Sequence, residues 1–326
     1  MTRFIKLKKA SLALAIAAGF CASGAVHAGL VATAVLEVKN FQIQNSVTGV
    51  ILDQSNFTGL AISDFGSNTA SLTGFPSTTV NGTASGGAPM NIPQVCLGAV
   101  CPLADNYAHT TAPGGNQLAR ADSNLQGAPL TGLGQPTGAT AQQVGEVLLT
   151  SSGVGGGDSG LGLNSTFTLT TSSIQTLQLS FSADHYLRTL LTADVRPGSS
   201  ARASSALSFT IDQVLADGST VNRFSWAPDG QVTPGGAFGG TELLDGARLN
   251  DTITTLIAGT TSVRDLPGDQ LFKASATLLP GTYQFAINQS VAANGTQVIP
   301  EPGTMLLAGV GLLGVVLSRR RAKKIA

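Results

Sequence analysis

From Thr166 onward, apolar side chains recur at every second position. Phe167 and Leu169 alternate with threonines, and Leu177, Leu179 and Phe181 with glutamine and serine. Leu207, Phe209 and Ile211 alternate with serine, threonine and aspartate. A two-residue period puts one set of side chains on one face of an extended chain, which is the pattern of half-buried β-strands. The turn chemistry agrees. Ala216-Asp217-Gly218-Ser219, between Leu207–Leu215 and Thr220–Trp226, predicts a β-hairpin with a type I′ turn, because Asp and Gly accept positive φ. Lys273–Leu279, Pro280-Gly281 and Thr282–Ser290 predict a second hairpin, with Tyr283, Phe285 and Ile287 on one face. An opening strand is expected over Val31–Gln44, carried by Val35, Val38, Phe41 and Ile43, and another over Gln143–Thr150. The glycine-rich stretches Thr79–Pro93, Gly127–Thr140 and Gly153–Gly162 read as loops. The expected fold is all-β: an antiparallel β-sandwich or jelly roll, with a signal helix before it and a short membrane helix after it.

The two ends read differently from the body. Arg3, Lys6, Lys8 and Lys9 precede the apolar run Ala10–Phe20, and Val26-His27-Ala28 offers small residues at −3 and −1. That is a secretory signal peptide over 1–28, cut after Ala28. Phe20, bulky and next to Cys21, argues against a lipoprotein signal. At the other end, Pro300-Glu301-Pro302 precedes the uncharged run Met305–Leu317, and Arg319, Arg320, Arg321, Lys323 and Lys324 follow it. As a helix rising about 1.5 Å per residue, Thr304–Leu317 would span roughly 21 Å. That is short of the ~30 Å hydrocarbon core, a mismatch that snorkelling cations and local thinning absorb. The basic cluster keeps its end cytoplasmic and leaves everything before Pro300 outside. The chain therefore divides into a signal peptide (1–28), an exported β-rich domain (29–297) and a C-terminal segment (298–326).

This division changes the meaning of the charge. Of 18 basic residues, four lie before Ala10 and five after Ser318, whereas 17 of the 18 acids lie between Gly29 and Ile299. The exported part is acidic. Such a surface repels phosphate backbones, which argues against nucleic acid as a partner. Cys96 and Cys101 are the cysteines left after signal removal. An even pair in an exported chain points to a disulfide across a loop that Gly98 lets bend. The alternatives are free thiols or half of a metal site, which would need two more ligands where His109 is the only nearby histidine.

Three motifs resemble catalytic or cofactor signatures. Gly157-Asp158-Ser159-Gly160 copies the tetrapeptide around the nucleophile of trypsin-like proteases, with His109 upstream. Leu161 breaks that pattern, and the sequence around His109 lacks the rest of it. Gly309–Gly314 fits GxGxxG but lies inside the apolar tail, with no βαβ unit around it. Asp184, His185 and Asp194 form an acid-histidine group on neighbouring expected strands, read as exposed edge residues. No catalytic, metal or cofactor set is assigned.

The C-terminal segment resembles the sorting signal of PEP-CTERM proteins: a Pro-Glu-Pro tripeptide, a short apolar helix and a basic stop. The resemblance covers Val298–Lys324 and implies a Gram-negative source, a transient inner-membrane anchor and processing near Pro300-Glu301-Pro302 by an exosortase-type enzyme. It also implies an association with exopolysaccharide and biofilm matrix. The expected role is structural, adhesive or glycan-binding, without catalysis, at the cell surface or in the matrix. The alternative is a secreted polysaccharide-acting hydrolase, which needs two acids flanking a cleft; the single Trp226 is thin for a sugar platform. Glu301→Ala should trap a full-length inner-membrane precursor, because the apolar anchor stays while the chemical signal is gone. Fractionation and immunoblotting test this, and surface delivery equal to the parent would reduce the tail to a simple anchor.

Overall fold

The computed structural model describes residues 29–52, 57–98, 101–108, 117–126, 139–169, 174–233 and 236–298, without the side chains of 163–167, 169 and 267. The expected signal peptide, the membrane helix and His109 lie outside these. Among the described residues there is no helix, and two antiparallel sheets form a β-sandwich. The first sheet runs β12 (Gly240–Asp245), β14 (Thr260–Leu278), β8 (Gln175–Leu191), β1 (Leu30–Asn45), β6 (Ala139–Leu149), β5 (Leu118–Gln126), β4 (Met90–Gly98). The second runs β11 (Ala237–Phe238), β10 (Thr220–Trp226), β9 (Ser200–Val214), β15 (Gly281–Gln297), β7 (Gly153–Leu169), β2 (Thr58–Leu72), β3 (Phe75–Ser85), and β13 (Asp251–Thr255) also pairs with β9. From β6 to β9, and again from β11 onward, every connection changes sheets.

The period-two pattern does what it predicts in β8 and β9. Every second residue of β8 is buried from Leu177 to Leu191, and Leu207, Phe209 and Ile211 all point inward. In β1 the parity changes midway. Leu36 and Val38 are buried, and so are Phe41 and Ile43, three residues further on, because a bulge with Asn40 at φ 55° inserts an extra residue. Val35 therefore lies half-exposed on the opposite face from Phe41, contrary to the simple reading of that strand.

Aromatic rings fill one part of the interior. Phe41 stacks on Phe209 with centroids 5.4 Å apart, and Phe181 on Phe272 at 4.8 Å; Trp226 packs on Phe209 at 5.3 Å. These rings come from both sheets and hold them well apart. A second core cluster has no aromatic ring: Ala32, Ala70, Ala119, Ala201 and Ala293 pack among leucines and valines such as Leu30, Leu72, Val147 and Leu149. There the backbones touch. A Cβ added to Gly157 would lie 2.1 Å from the Arg120 carbonyl oxygen, and one on Gly145 would lie 2.3 Å from that of Gly157. This close approach is why Gly153–Gly162, read as a loop, is instead the start of the seventeen-residue strand β7, paired on both sides with β15 and β2. Gly155 and Gly157 are the two of its glycines that face the first sheet, where a Cβ would meet Val147 and the Arg120 carbonyl. Thr79–Pro93 is likewise mostly strand, in β3 and β4.

Two turn expectations also change. The β9–β10 hairpin exists, but Gly218 alone has positive φ (82°), its N–H donates to the Leu215 carbonyl at 3.0 Å, and Leu215 N–H donates to the Ser219 carbonyl at 2.8 Å. That is a type I turn followed by a left-handed glycine, a three-residue loop in place of a type I′ turn. Lys273–Ser290 is no hairpin. Pro280 and Gly281 turn a corner, so β14 stays in the first sheet and β15 joins the second. The Tyr283 hydroxyl fastens that corner by donating to the Leu279 carbonyl at 2.6 Å.

Cys96 and Cys101 form a disulfide, with Cα atoms 5.9 Å apart. Gly98 sits between them at φ 127°, where an added Cβ would lie 2.1 Å from the Gln117 carbonyl. The segment after the disulfide lies over the outer face of the first sheet. It is tied there by Arg120, whose guanidinium donates to the carbonyls of Asn106 (2.8 Å) and Ala108 (2.5 Å) and pairs with Glu146 at 2.9 Å. Both charged partners are fully buried, so each would be costly to leave alone.

The two halves of the core should respond to opposite changes. Phe209→Ala should lose roughly 3–5 kcal/mol by opening a cavity. Gly157→Val, an addition of atoms, should destabilise by at least 1–3 kcal/mol through overpacking. Urea unfolding of both variants measures this; a valine tolerated at 157 would contradict backbone contact there.

Candidate functional site

Both ends of the described chain are held by one connection, the segment between β8 and β9. Gly29 N–H donates to Thr192 Oγ1 at 2.6 Å, and Thr192 N–H donates to the Gly29 carbonyl at 2.9 Å. Arg196 N–H donates to the Val298 carbonyl at 2.9 Å, and Val298 N–H donates to Ser199 Oγ at 2.9 Å. The expected cleavage point after Ala28 and the Pro300-Glu301-Pro302 segment are thus chain neighbours of one end of the sandwich. Ala28, Pro300, Glu301, Pro302, Arg319, Arg320, Arg321, Lys323 and Lys324 themselves lie outside the described residues.

The outer face of the first sheet carries a hollow of about 300 Å³. Four strands and the Arg120-tied segment line it: Val35 and Glu37 from β1, Gln142 from β6, Asp184 and Tyr186 from β8, Asp265 from β14, and Tyr107 from the segment. Glu37 sits directly across from Asp184, and Tyr186 lies between Val35 and Asp265. Lys39 pairs with Glu37 at 2.8 Å and, beside the hollow, with Asp269 at 3.1 Å. Gln142 Nε2 donates to Glu37 at 2.5 Å. Burial raises the Asp184 carboxyl above its usual range, against the pull of Lys39. The Tyr107 hydroxyl is buried without a hydrogen-bond partner, and burial with the nearby Asp122 and Asp105 raises its pKa strongly. The hollow thus offers two tyrosine rings beside carboxylate and amide groups, a surface suited to a polyhydroxylated ligand.

The motifs read from the sequence are placed elsewhere. Ser159 is buried on the inner face of β7, where Gln143 Nε2 donates to its hydroxyl at 3.2 Å. It bridges the two sheets. Asp158 faces the other way, and no imidazole meets Ser159 among the described residues. Asp184, His185 and Asp194 are not brought together: Asp184 faces the outer hollow, Asp194 is exposed in the turn after β8, and His185 is buried in the core. Ser205 Oγ donates to the Leu249 carbonyl at 2.6 Å, so His185 Nε2, 2.7 Å away, donates to Ser205. That leaves His185 Nδ1 as an unprotonated acceptor with no partner. Trp226 is in the aromatic core, 2% exposed, and offers no outer platform.

A third group was not legible. Asp229, Glu242 and Asp245 bring carboxylate oxygens within 4.8 Å of one another. Glu242 and Asp245 are three residues apart, which on a regular strand puts them on opposite faces. A bulge between Glu242 and Leu244 turns both inward and Leu243 and Leu244 outward. Glu242 Oε1 accepts from Trp226 Nε1 at 2.6 Å, and its Oε2 from Thr233 N–H at 3.2 Å. Asp245 Oδ2 accepts from the N–H groups of Asp229 (2.7 Å) and Gly230 (2.8 Å).

The sandwich is one in which the last strand leads straight into a recognised sorting element. Residues 298–321 match the PEP-CTERM protein-sorting motif. The chain is therefore that of an exported protein carrying a C-terminal membrane-anchoring signal and sorted by an exosortase system. No curated protein matches the chain. Among solved structures, a chain from "Structure of infectious bursal disease virus Gt strain" is 14% identical, covering 90% of this chain and 86% of that one, with a TM-score of 0.07. A likeness that low carries no argument about fold or function.

Burial pushes His185 down from 6.5 to about 4, partly offset by Asp251. Between those values the unfolded chain binds a proton that the folded chain does not, so stability should be full above pH ~6.5 and fall as the pH drops toward ~4. The loss attributable to this group should reach about 3 kcal/mol. His185→Gln should flatten that slope in denaturation curves taken across the range, and an unchanged slope would assign the acid sensitivity to other groups.

Proposed function

We propose that the protein is a surface or matrix component of a Gram-negative bacterium that holds exopolysaccharide without cleaving it. The hollow on the outer face of the first sheet is the observation that supports this reading. Its two tyrosines, Tyr107 and Tyr186, give apolar ring area. Glu37, Gln142, Asp184 and Asp265 supply hydrogen-bond acceptors and an amide for sugar hydroxyls. The position also fits: the hollow lies on a broad sheet face, whereas the sorting tail leaves from the end of β15, so a ligand there does not obstruct anchoring or processing.

The hydrolase reading draws on one observation, Glu37 and Asp184 facing each other across β1 and β8. Against it, both carboxylate oxygens of Glu37 are already engaged, Oε2 by Lys39 and Oε1 by Gln142, which leaves neither free to attack a sugar. Tyr186→Ala should weaken binding of the producing strain's exopolysaccharide about tenfold, near 1.4 kcal/mol, in calorimetry or affinity electrophoresis. Unchanged binding in both Tyr186→Ala and Glu37→Gln would remove the hollow as the site. Release of reducing ends by the parent, lost in Asp184→Asn, would establish the hydrolase instead.

A further inference from the structure

We propose that Asp229, Glu242 and Asp245 bind a divalent cation of the calcium class. Three carboxylates converge within 4.8 Å, two of them buried, with Asp245 only 7% exposed. Two oxygens bound to one calcium ion at 2.3–2.6 Å can be at most about 5 Å apart, so the spacing suits a shared ion. Among the described residues, no ion pair joins a cationic side chain to any of the three. Arg248 donates its Nε to the backbone carbonyl of Asp229 at 3.3 Å.

A second observation points into the cluster. Of the four carboxylate oxygens on the two buried acids, three accept hydrogen bonds, from Trp226, Thr233, Asp229 and Gly230. The fourth, Asp245 Oδ1, is buried and has no partner. A buried carboxylate oxygen left bare is expensive. Its sister oxygen accepts from the backbone N–H of Asp229, the residue whose own carboxylate completes the cluster. Burial, with repulsion from Glu242 and Asp229, raises the Asp245 carboxyl. An ion there would relieve both the repulsion and the missing partner.

The donors are all oxygen, from three carboxylates and without nitrogen or sulfur, which selects a hard cation over zinc or copper. One carboxylate, Asp229, is exposed, which gives the ion an entry path. Affinity on the order of 10⁻⁴–10⁻³ M, as in other extracellular calcium modules, would suffice outside the cell. Glu242 and Asp245 belong to β12 in the first sheet, whereas Asp229 follows β10 in the second. The ion would clamp the two sheets together along their β10–β12 edge.

Trp226 makes the test specific. It is the only tryptophan in the chain, and its indole nitrogen touches Glu242. Terbium(III) added to the full-length protein should give luminescence when the indole is excited, saturating with metal and competed away by calcium. Asp245→Asn and Asp229→Asn should each weaken terbium binding by at least about tenfold. Asp229→Asn guards against misfolding, because an asparagine oxygen can still accept the Gln231 N–H that Asp229 Oδ1 accepts at 2.9 Å. Circular dichroism establishes that each variant is folded, and if Asp245→Asn is not, Asp229→Asn decides. No sensitised emission from the folded parent, or emission equal to the parent in a folded Asp229→Asn variant, would overturn the proposal and leave protonation of Asp245 as the way the cluster is tolerated.

Discussion

The separation of the two sheets governs the rest of this molecule. Where Phe41, Phe181, Phe209, Phe272 and Trp226 interleave, full aromatic rings set the spacing. Where Gly145 and Gly157 meet, main chain rests on main chain. The interior therefore changes from aromatic rings to leucine, valine and alanine, with direct main-chain contact at Gly145 and Gly157. Typical sandwiches hold their sheets about 10 Å apart with side chains between them; here one part has no room for a single methyl. Buried polar contacts, Gln143 Nε2 to Ser159 and Gln289 Nε2 to the Leu36 carbonyl, also join the two sheets.

How far this was legible in the sequence depended on whether local pattern and tertiary packing agreed. In β8 and β9 they agree, and alternation alone identifies the inward faces. In β7 they conflict. Gly155, Gly156, Gly157, Gly160 and Gly162 look locally like a flexible loop, because nothing in a window of ten residues reveals a facing backbone too close for a side chain. Gly145 and Arg120, which create that demand, are distant in sequence. The same limit hid the change of sheet at Pro280-Gly281: a tight turn between two alternating runs is written alike whether the strands pair or part. Bulges were invisible too, and each shifted the parity of a strand, turning Val35 out in β1 and Asp245 in beside Glu242 in β12.

The candidate sites show that limit most clearly. The hollow draws Glu37, Gln142, Asp184 and Asp265 from four strands that are adjacent only because of the order of the first sheet. No spacing along the chain encodes that neighbourhood. The tempting short motifs failed for the complementary reason. Gly157-Asp158-Ser159-Gly160 matches a tetrapeptide, but a strand sends Asp158 and Ser159 to opposite faces, and the packing needed glycine at 157. What the residues did disclose was the sorting motif of the tail, matched over residues 298–321, because it is written in chain order: tripeptide, apolar run, basic stop.

The placement of β15 carries a mechanical consequence. It is flanked by β7 and β9 along nearly its whole length, and its C-terminal residue continues toward the tail. A domain held at that end while its body is pulled would feel tension along the axis of β15. Both ladders of hydrogen bonds are then loaded in shear, many at once, and they cannot open one after another as they would if the strand were peeled from an edge. A tether drawn from an edge strand such as β3 would fail by unzipping. Leaving from the interior of the sheet makes the attachment point the part of the domain best able to bear a pull.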